Sequence, residues 1–216
     1  MGASGPGRRT QQRGRARRTA LVEAGRRLLR TMEIDSVSLT DVASEAGIPK
    51  SSAYHFFSHV QEVYEAAASD MEIELHGFLE GLDPGECRDW SQMVTRFISW
   101  GAAFFNGNRD AMQLLIGPKT PAAIKLKDRQ NDFAVAERLR CLVAARFQLP
   151  ELADTPEIFF RGIEIADLFF GLSVIRHGHV TEEFCGEAAR ATCAYLSIYL
   201  PAMLPPVPVP LDYAER

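Results

Sequence analysis

The chain has 216 residues, of which 46% are hydrophobic and 24% are charged. This composition is typical of a globular protein with one large or two modest cores. No apolar run is long enough to cross a bilayer. The arginine-rich N-terminal segment lacks the apolar stretch of a secretory signal, and Gly and Pro interrupt the amphipathic helix of a transit peptide. We therefore expect a cytoplasmic protein without a membrane partner.

The four cysteines show neither C-x-x-C spacing nor a nearby set of histidine ligands. This pattern favours reduced, buried thiols over a zinc site or a disulfide framework. We expect no cofactor and no metal. The cysteines are Cys87, Cys141, Cys185 and Cys193.

Charge is distributed unevenly along the chain, whose net charge is −4. Residues 1–30 contain nine arginines and one acid, a net charge of +8, so the remainder carries −12. The asymmetry indicates a basic segment for a polyanion joined to an acidic body, and the alternative is a tail that is merely solvated. Because residues 1–16 are rich in Gly and Arg and lack apolar periodicity, we expect them to form a disordered arm until bound.

The first two helical patterns lie between residues 19 and 47. An amphipathic helix begins at Thr19, with leucines on one face and arginines on the other. Ser38 is the expected N-cap of the second helix, because Asp41 follows at the capping-box distance. Gly47 ends this helix, since glycine tolerates the left-handed conformation of a C-terminal cap.

Two further helical patterns follow at once. Pro49 suits a first helical position, and a short helix runs from it to about Phe56. Ser58, with Gln61 at the capping-box distance, opens the next helix, whose apolar stripe continues to Phe78.

The pattern stays helical beyond Gly81, and no alternating strand pattern with hairpin turns occurs. The chain is therefore predicted to be all-α. The tail, residues 201–216, contains five prolines and cannot be helical throughout. The remaining predicted helices are Trp90–Asn106, Arg109–Ile116, Pro121–Phe147, Pro156–Arg176 and Thr181–Leu200.

Two short helices around one glycine are typical of a helix-turn-helix, whose second helix enters the major groove of DNA. Small residues at the start of the second helix allow close approach to DNA. Lys50 supplies charge for phosphate, while Ser, Tyr and His side chains supply hydrogen-bonding groups for phosphates or base edges. The alternative is an ordinary helical hairpin whose serines are only caps.

The run 38-SLTDVASEAGIPKSSAYHFF-57 resembles the DNA-binding domain of the TetR (tetracycline-repressor) family of bacterial transcriptional regulators. The resemblance extends over residues 17–65. It implies a helical ligand-binding and dimerisation domain for residues 66–200. It also implies phosphate contacts for Ser38 and Thr40, and a DNA-facing edge on the third helix formed by Lys50, Ser51, Ser52, Tyr54 and His55.

The sequence departs from the family pattern at three positions. Ser51 replaces the usual glycine, Phe56 a frequent histidine, and Val60 a lysine that normally contacts phosphate. These changes lower the local positive charge. We therefore expect the arginine arm to supply much of the affinity, by entering a minor groove. The arginines concerned are Arg13, Arg15, Arg17 and Arg18. Leu39, Val42, Ala46, Ile48 and Phe57 are predicted to be core.

The segment 158-IFFRGIEIADLFFGLSVI-175 is apolar on nearly all sides, so a helix formed by it must bury two faces. One face can serve its own bundle and the other a second copy of the chain. Small residues within 184–199 permit close helix approach, and the family resemblance implies a four-helix dimer interface. The alternatives are a central core helix of a monomer and a surface for another protein. The predicted interface residues are Leu168, Leu172, Ile175, Ala188, Ala191 and Tyr195.

Aromatic residues in the body suit an apolar effector, although each also suits a plain core. Glu164 and Asp167 could recognise a cationic or hydroxylated ligand, or could pair with Arg161 on the same helix. His177 and His179 lie at a helix end, which favours a dipole interaction over a metal pair. The predicted effector residues are Phe97, Trp100, Phe104, Met112, Phe133, Phe160 and Glu164.

These patterns predict a homodimeric repressor that a small, largely apolar effector releases from a palindromic operator in double-stranded DNA. The mechanism that the family resemblance implies is a shift in population: the effector favours a dimer whose recognition helices no longer fit adjacent grooves. An enzyme is not expected, because the sequence has no phosphate loop, no nucleophile triad pattern and no H-E-x-x-H motif. The main alternative is a non-specific or architectural DNA binder that uses the arginine arm alone.

Overall fold

The computed structural model describes residues 6–81, 83 and 85–208. Apart from one isolated antiparallel bridge between Phe147 and Pro206, the regular elements of this part of the chain are helical, so the all-α prediction is confirmed. No helix in the described ranges has the length and apolarity needed to cross a membrane. The helices are α1 (Pro6–Leu29), α2 (Leu39–Glu45), α3 (Lys50–Phe56), α4 (Val60–Glu80), α5 (Trp90–Gly107), α6 (Arg109–Ala111, continued by a π-helical Met112–Ile116), α7 (Ala122–Ala144), α8 (Thr155–His177) and α9 (Glu182–Leu196).

Helix α1 begins earlier than the sequence predicts, at Pro6 rather than at Thr19. Residues 6–16, which were expected to be disordered, are helical. Arginine and glutamine are good helix formers, and proline is favoured at a first helical position, so local propensity outweighs the missing apolar face. The predicted arm is therefore the first half of a helix over its described residues, and residues 1–5 lie outside them.

The chain divides into two compact units. The first contains residues 1–75 and 105–128, and the second contains residues 76–104 and 129–216. The first unit thus combines the predicted helix-turn-helix with a segment that comes much later in the sequence. Its core includes Leu21, Leu29, Val42, Phe57 and Val63, each at most 2% exposed.

The turn between α2 and α3 is set by local side-chain and backbone contacts. The predicted capping box is present: the Asp41 backbone N–H donates to Ser38 Oγ at 3.2 Å, and the Ser38 N–H donates to Asp41 Oδ2 at 2.9 Å. Gly47 has a φ of 64°, a left-handed conformation that glycine adopts at little cost. Pro49 lies at the N-cap of α3, one residue before the first helical position predicted for it, and its carbonyl accepts from the Ala53 N–H at 3.1 Å.

The expected partner of Ser58 at the start of α4 is different from the one observed. The Ser58 N–H donates to Glu62 Oε2 at 2.7 Å, not to Gln61. The acceptor thus lies four residues on, because α4 begins at Val60, so Ser58 lies two residues before the first helical residue and not at the N-cap.

In the second unit, α8 and α9 pack closely through small residues. A Cβ on Gly162 would lie 3.3 Å from Cγ2 of Thr192, and the Thr192 hydroxyl donates to the Gly162 carbonyl at 3.0 Å. Residues from the proline-rich tail pack in the same unit. Trp90 Nε1 donates to the Pro201 carbonyl at 2.9 Å, and the Gln148 N–H donates to the Pro205 carbonyl at 2.8 Å.

Candidate nucleic-acid interface

Helix α3 has one apolar side and one polar side. Ala53 and the following Phe57 are 0% and 2% exposed, and they anchor the helix to the core of the first unit. Lys50, Ser51, Tyr54 and His55 are exposed, and Ser52 is half-buried. The Lys50 ammonium lies 5.8 Å from the centroid of the Tyr54 ring, so the positive charge and the phenol share one edge. The structure thus brings the predicted α3 residues together on an exposed polar edge.

The start of α2 carries the two other predicted contact residues from the helix-turn-helix. Ser38 and Thr40 are both exposed. The Ser38 hydroxyl lies 2.6 Å from Asp41 Oδ2, and this hydrogen bonding lowers the pKa of Asp41. Ser38 therefore both caps the helix and lies at the surface, beside the first-turn N–H groups that favour an anion.

The predicted arm residues Arg13, Arg15, Arg17 and Arg18 are exposed along α1. Arg18 is already engaged, because its guanidinium lies 5.0 Å from the centroid of the Phe57 ring. These arginines therefore lie on a helix rather than on an extended arm, and because Arg15 is two residues from both Arg13 and Arg17, the four do not share one face.

The last arginines of the basic segment have a role that the sequence interpretation missed. Arg26 is 5% exposed, and its Nε donates to Oδ2 of the fully buried Asp110 at 2.9 Å. Its two terminal nitrogens donate to both carboxylate oxygens of Glu74, at 2.6 and 2.8 Å. The hydrogen bonds to Glu74 and Asp110 raise the pKa of Arg26. Arg30 Nη2 also reaches Asp110 Oδ2, at 3.4 Å.

A signal for the burial of Arg26 exists in the sequence. Arg26 follows Val22 by four residues and precedes Leu29 by three, and both neighbours are buried, so helical periodicity assigns it to the apolar face of α1. Its carboxylate partner Asp110 lies 84 residues away, and no local pattern identifies it.

Gln113 makes a second long-range connection within the first unit. Its Oε1 accepts from the Ile34 N–H at 3.0 Å, and its Nε2 donates to the carbonyls of Leu29 and Met32 at 2.6 and 2.9 Å. The side chain thus satisfies backbone groups where α1 ends. Burial raises the pKa of the nearby Tyr64 to about 12, and its hydroxyl donates to the Ile34 carbonyl at 3.0 Å.

A polar cleft of about 490 Å³ lies beside the predicted DNA-facing residues Ser38 and Tyr54. His59 and Val60 line it at the start of α4, and Lys119 lines it from the later segment of the first unit. Lys119 forms an ion pair with Asp35, which raises the pKa of the lysine. A cation therefore lies in the same cleft as Val60. The sequence position of Lys119 does not predict this.

The predicted effector residues do not form one cluster. Phe133 and Phe160 stack with parallel rings and a centroid distance of 3.9 Å. Phe97 and Phe104 are buried, and Trp100 is half-buried. All five aromatic residues belong to the second unit, as does Glu164. Met112 is 7% exposed and belongs to the first unit.

The charged partners in α8 differ from those expected. Glu164 Oε2 lies 3.5 Å from Arg129 Nη2, whereas Arg161 pairs with Glu157 at 3.1 Å. Of the two alternatives for Glu164, pairing with Arg161 is not observed, because Glu157 offers Arg161 a partner at the favourable i, i+4 spacing.

Among the predicted dimer residues, Leu168 and Ile175 are 61% and 60% exposed. Leu172, Ala191 and Tyr195 are half-buried. Ala188 is 0% exposed, so its inclusion in the interface is wrong: within one chain its methyl group is already fully covered.

His177 and His179 are exposed at the end of α8. Nδ1 of His179 lies 3.1 Å from the His177 carbonyl. Within the described ranges, no group of three or more His, Cys, Asp or Glu side chains is arranged to hold a metal ion.

No protein-family model matches the sequence, and no curated protein matches it. Solved structures of similar fold are TetR-family regulators. One, from Streptomyces coelicolor, is 20% identical, with 86% of this chain and 98% of that chain covered and a TM-score of 0.55. Another, from Rhodococcus sp. RHA1, is 15% identical, with 86% and 97% covered and a TM-score of 0.59. A putative member from Mesorhizobium loti MAFF303099 is 12% identical, with 87% and 98% covered and a TM-score of 0.54.

At these identities the similarity establishes the fold. The protein has the fold of the TetR-family transcriptional regulators, as the resemblance of residues 38–57 implied. In that fold α2 and α3 form the helix-turn-helix.

Proposed function

We propose that this protein is a sequence-specific DNA-binding transcriptional regulator, and a repressor that a small effector releases from DNA. The observation that carries the proposal is the exposed edge of α3, where Lys50, Ser51, Tyr54 and His55 project from a helix whose other side is buried. Nothing in the packing of the unit requires these polar groups. Their chemistry suits phosphates and base edges in a major groove.

Lys119 extends the proposed interface beyond the residues expected from the sequence. It shares the polar cleft with Ser38, Tyr54 and Val60, and it supplies positive charge where the start of α4 lacks it. We propose that Lys119 contacts a DNA phosphate, exchanging its ion pair with Asp35 for one with the nucleic acid.

The first test is footprinting of the purified protein on the DNA upstream of its own gene, at two salt concentrations. We expect protection of a short two-fold-symmetric site. Lys50→Ala and Lys119→Ala should each weaken binding and lower the magnitude of the salt slope by about 1, because each removes one phosphate contact. Tyr54→Phe should weaken binding to the symmetric site by more than it weakens binding to unrelated DNA.

Lys125→Ala is the matched control, because it removes one exposed positive charge from α7 in the same unit. It should leave the salt slope unchanged. Equal protection of all sequences, with unaltered binding by the Tyr54→Phe variant, would contradict sequence-specific recognition. That result would instead support the non-specific binder that uses the arginines in the first half of α1.

We propose that the protein acts as a homodimer through α8 and α9. Leu168 and Ile175 lie seven residues apart on α8, so they share a helix face, and both are more than half exposed. A two-fold interface on this face would bury them and would present two recognition helices to two half-sites. This proposal omits Ala188.

Light scattering after size-exclusion chromatography tests the dimer. The double variant Leu168→Glu/Ile175→Glu should elute as a monomer. Ile73→Glu is the control, because Ile73 is a large apolar residue on α4 that is 71% exposed. A monomeric wild-type protein, or a double variant that remains dimeric, would contradict the proposed interface.

The proposed effector site is the second-unit group of Phe97, Trp100, Phe104, Phe133, Phe160 and Glu164. Helices α5 and α7 continue from that unit into residues 105–128 of the first. Within the first unit, Asp110 and Gln113 connect this segment to the end of α1. We propose that effector binding shifts this segment, and that the buried hydrogen bonds transmit the shift to the helix-turn-helix.

A further inference from the structure

A cleft of about 430 Å³ lies along α4 in the first unit, and the proposed DNA contacts on α3 do not account for it. Glu62, Glu65, Ser69 and Glu72 line the cleft. Their spacing of three or four residues makes them one face of the helix. Phe56, the last residue of α3, adds an aromatic side chain to the lining. The cleft therefore combines carboxylates with apolar surface.

Glu72 is the unusual member of this row. It is 7% exposed, and its Oε1 is buried without a hydrogen-bond partner. Its Oε2 lies 3.7 Å from Lys127 Nζ, which is longer than a hydrogen bond, and the same ammonium group donates to Ser69. A buried carboxylate that is paired so loosely is an unsatisfied hydrogen-bond acceptor, and a suitable donor would stabilise it.

We propose that this cleft binds a small organic cation with an apolar body, such as an amine or amidine, and that Glu72 is its anchoring carboxylate. The cation would take the place of the Lys127 ammonium beside Glu72. Three lining carboxylates face two lining cations, Arg18 and Lys127, so the cleft carries an excess of negative charge. Its volume suits a small ligand.

The chemistry of the lining favours an organic cation over the other classes of ligand. An anion would be repelled by the carboxylates that line the cleft. Within the described ranges, no group of three or more His, Cys, Asp or Glu side chains is arranged to hold a metal ion, so the lining offers no cage of protein ligands for one. A planar amidinium can donate one hydrogen bond to the unpartnered Oε1 of Glu72 and a second to Oε2 once it has displaced the Lys127 ammonium. The aromatic and alanine residues of the cleft suit the apolar body of the ligand.

Benzamidine is a suitable probe, with benzyl alcohol as the neutral comparison. Calorimetric titration of the full chain without DNA should show saturable binding of benzamidine, and binding of benzyl alcohol about tenfold weaker or more. Glu72→Gln, which keeps the shape and removes the charge, should weaken benzamidine binding by about tenfold or more. Asp70→Asn is the matched control, since Asp70 is an exposed carboxylate on α4 that does not line the cleft, and its affinity should equal that of the wild type.

The Lys127→Ala variant tests whether Glu72 binds an external cation or only forms an internal ion pair with Lys127. Removing the competing ammonium should tighten benzamidine binding. Non-saturable titration, or equal affinity of the wild type and the Glu72→Gln variant, would overturn the proposal. Circular dichroism and a melting curve of each variant establish that it is folded. Because no DNA is present, this test is independent of the proposed regulatory function.

Discussion

Both units have an apolar core and long-range hydrogen bonds, but the first contains a buried ion pair and the second a close approach of two helices through small residues. In the first unit, the fully buried Asp110 bonds to Arg26, and Gln113 bonds to three backbone groups near the end of α1. In the second unit, α8 and α9 meet through Gly162 and Thr192, with stacked rings of Phe133 and Phe160 elsewhere.

The difference concerns how strictly each contact fixes geometry. Buried charges and amides need partners at defined distances and angles, and losing one partner leaves the other unsatisfied. Packing of apolar and small side chains depends on shape and tolerates small adjustments. Losing a partner in the buried network of the first unit should therefore cost more than a small change of shape at the contact between α8 and α9.

The largest effect is expected for Asp110→Ala, which leaves the buried guanidinium of Arg26 with Glu74 as its remaining carboxylate partner. Breaking a buried pair in this way costs about 3–5 kcal/mol of unfolding free energy. Chemical denaturation of the variant and the wild type measures this difference in unfolding free energy. Asp70→Ala on α4 removes an exposed carboxylate and should change the free energy by less than about 0.5 kcal/mol. Equal effects of the two variants would show that the buried network contributes no specific stability.

The next largest effect is expected for Gln113→Ala, which should lower the free energy of unfolding by about 2–3 kcal/mol. The variant leaves the Ile34 N–H and the Leu29 and Met32 carbonyls without this partner. Hydrogen exchange of the Ile34 amide provides a local readout and should become faster. An unchanged exchange rate in a destabilised variant would indicate that the bond to Gln113 does not protect this amide.

Gly162→Val tests shape packing in the second unit. The added methyl groups would crowd Thr192, and overpacking of this kind costs about 1–3 kcal/mol. Gly77→Ala on α4 is the control, since a Cβ at Gly77 has nothing within 4 Å. This control should be stabilised by about 0.5–1 kcal/mol through helix propensity. A Gly162→Val variant as stable as the wild type would show that α9 can move away from α8 at little cost in free energy.

The smallest effect is expected for Ser38→Ala, which removes the N-cap of α2 and should cost about 1 kcal/mol at neutral pH. The hydrogen bonds from Ser38 lower the pKa of Asp41 in the folded protein. Their contribution is therefore fully present above the unfolded pKa of about 3.9 and is lost as the pH falls through the lower folded value. Denaturation at neutral and strongly acidic pH should show the difference between the variant and the wild type shrinking in acid. A difference that stays constant with pH would show that the charged form of Asp41 does not contribute to the stabilising effect of Ser38.

Much of the fold could be predicted because its signals are local. The capping box joins residues 38 and 41, the left-handed Gly47 ends α2, and the polar edge of α3 is formed by consecutive residues of one short helix. Each depends on side chains within one or two helical turns. The pattern therefore predicted the helix-turn-helix, although propensity extended α1 to Pro6, beyond the apolar periodicity used to place its start.

The long-range assignments depended on partners that periodicity does not identify. Glu164 pairs with Arg129 on another helix, and Lys119 reaches the cleft beside Val60 from more than fifty residues away in the sequence. Ala188 suited either a chain's own core or a dimer interface, since a small side chain permits close approach in both. Its complete burial within one chain decided the question.

The sequence by itself determined the all-α class, the helix-turn-helix and the polar chemistry of α3, because helix propensity, capping and amphipathic periodicity act over a few residues. Only the tertiary structure decided that Arg26 is buried against Asp110, that residues 105–128 belong with the helix-turn-helix, and that Glu72 lines a cleft with one oxygen unpartnered. These features depend on the meeting of segments far apart in the chain, and a charged residue takes its role from the partner it meets there.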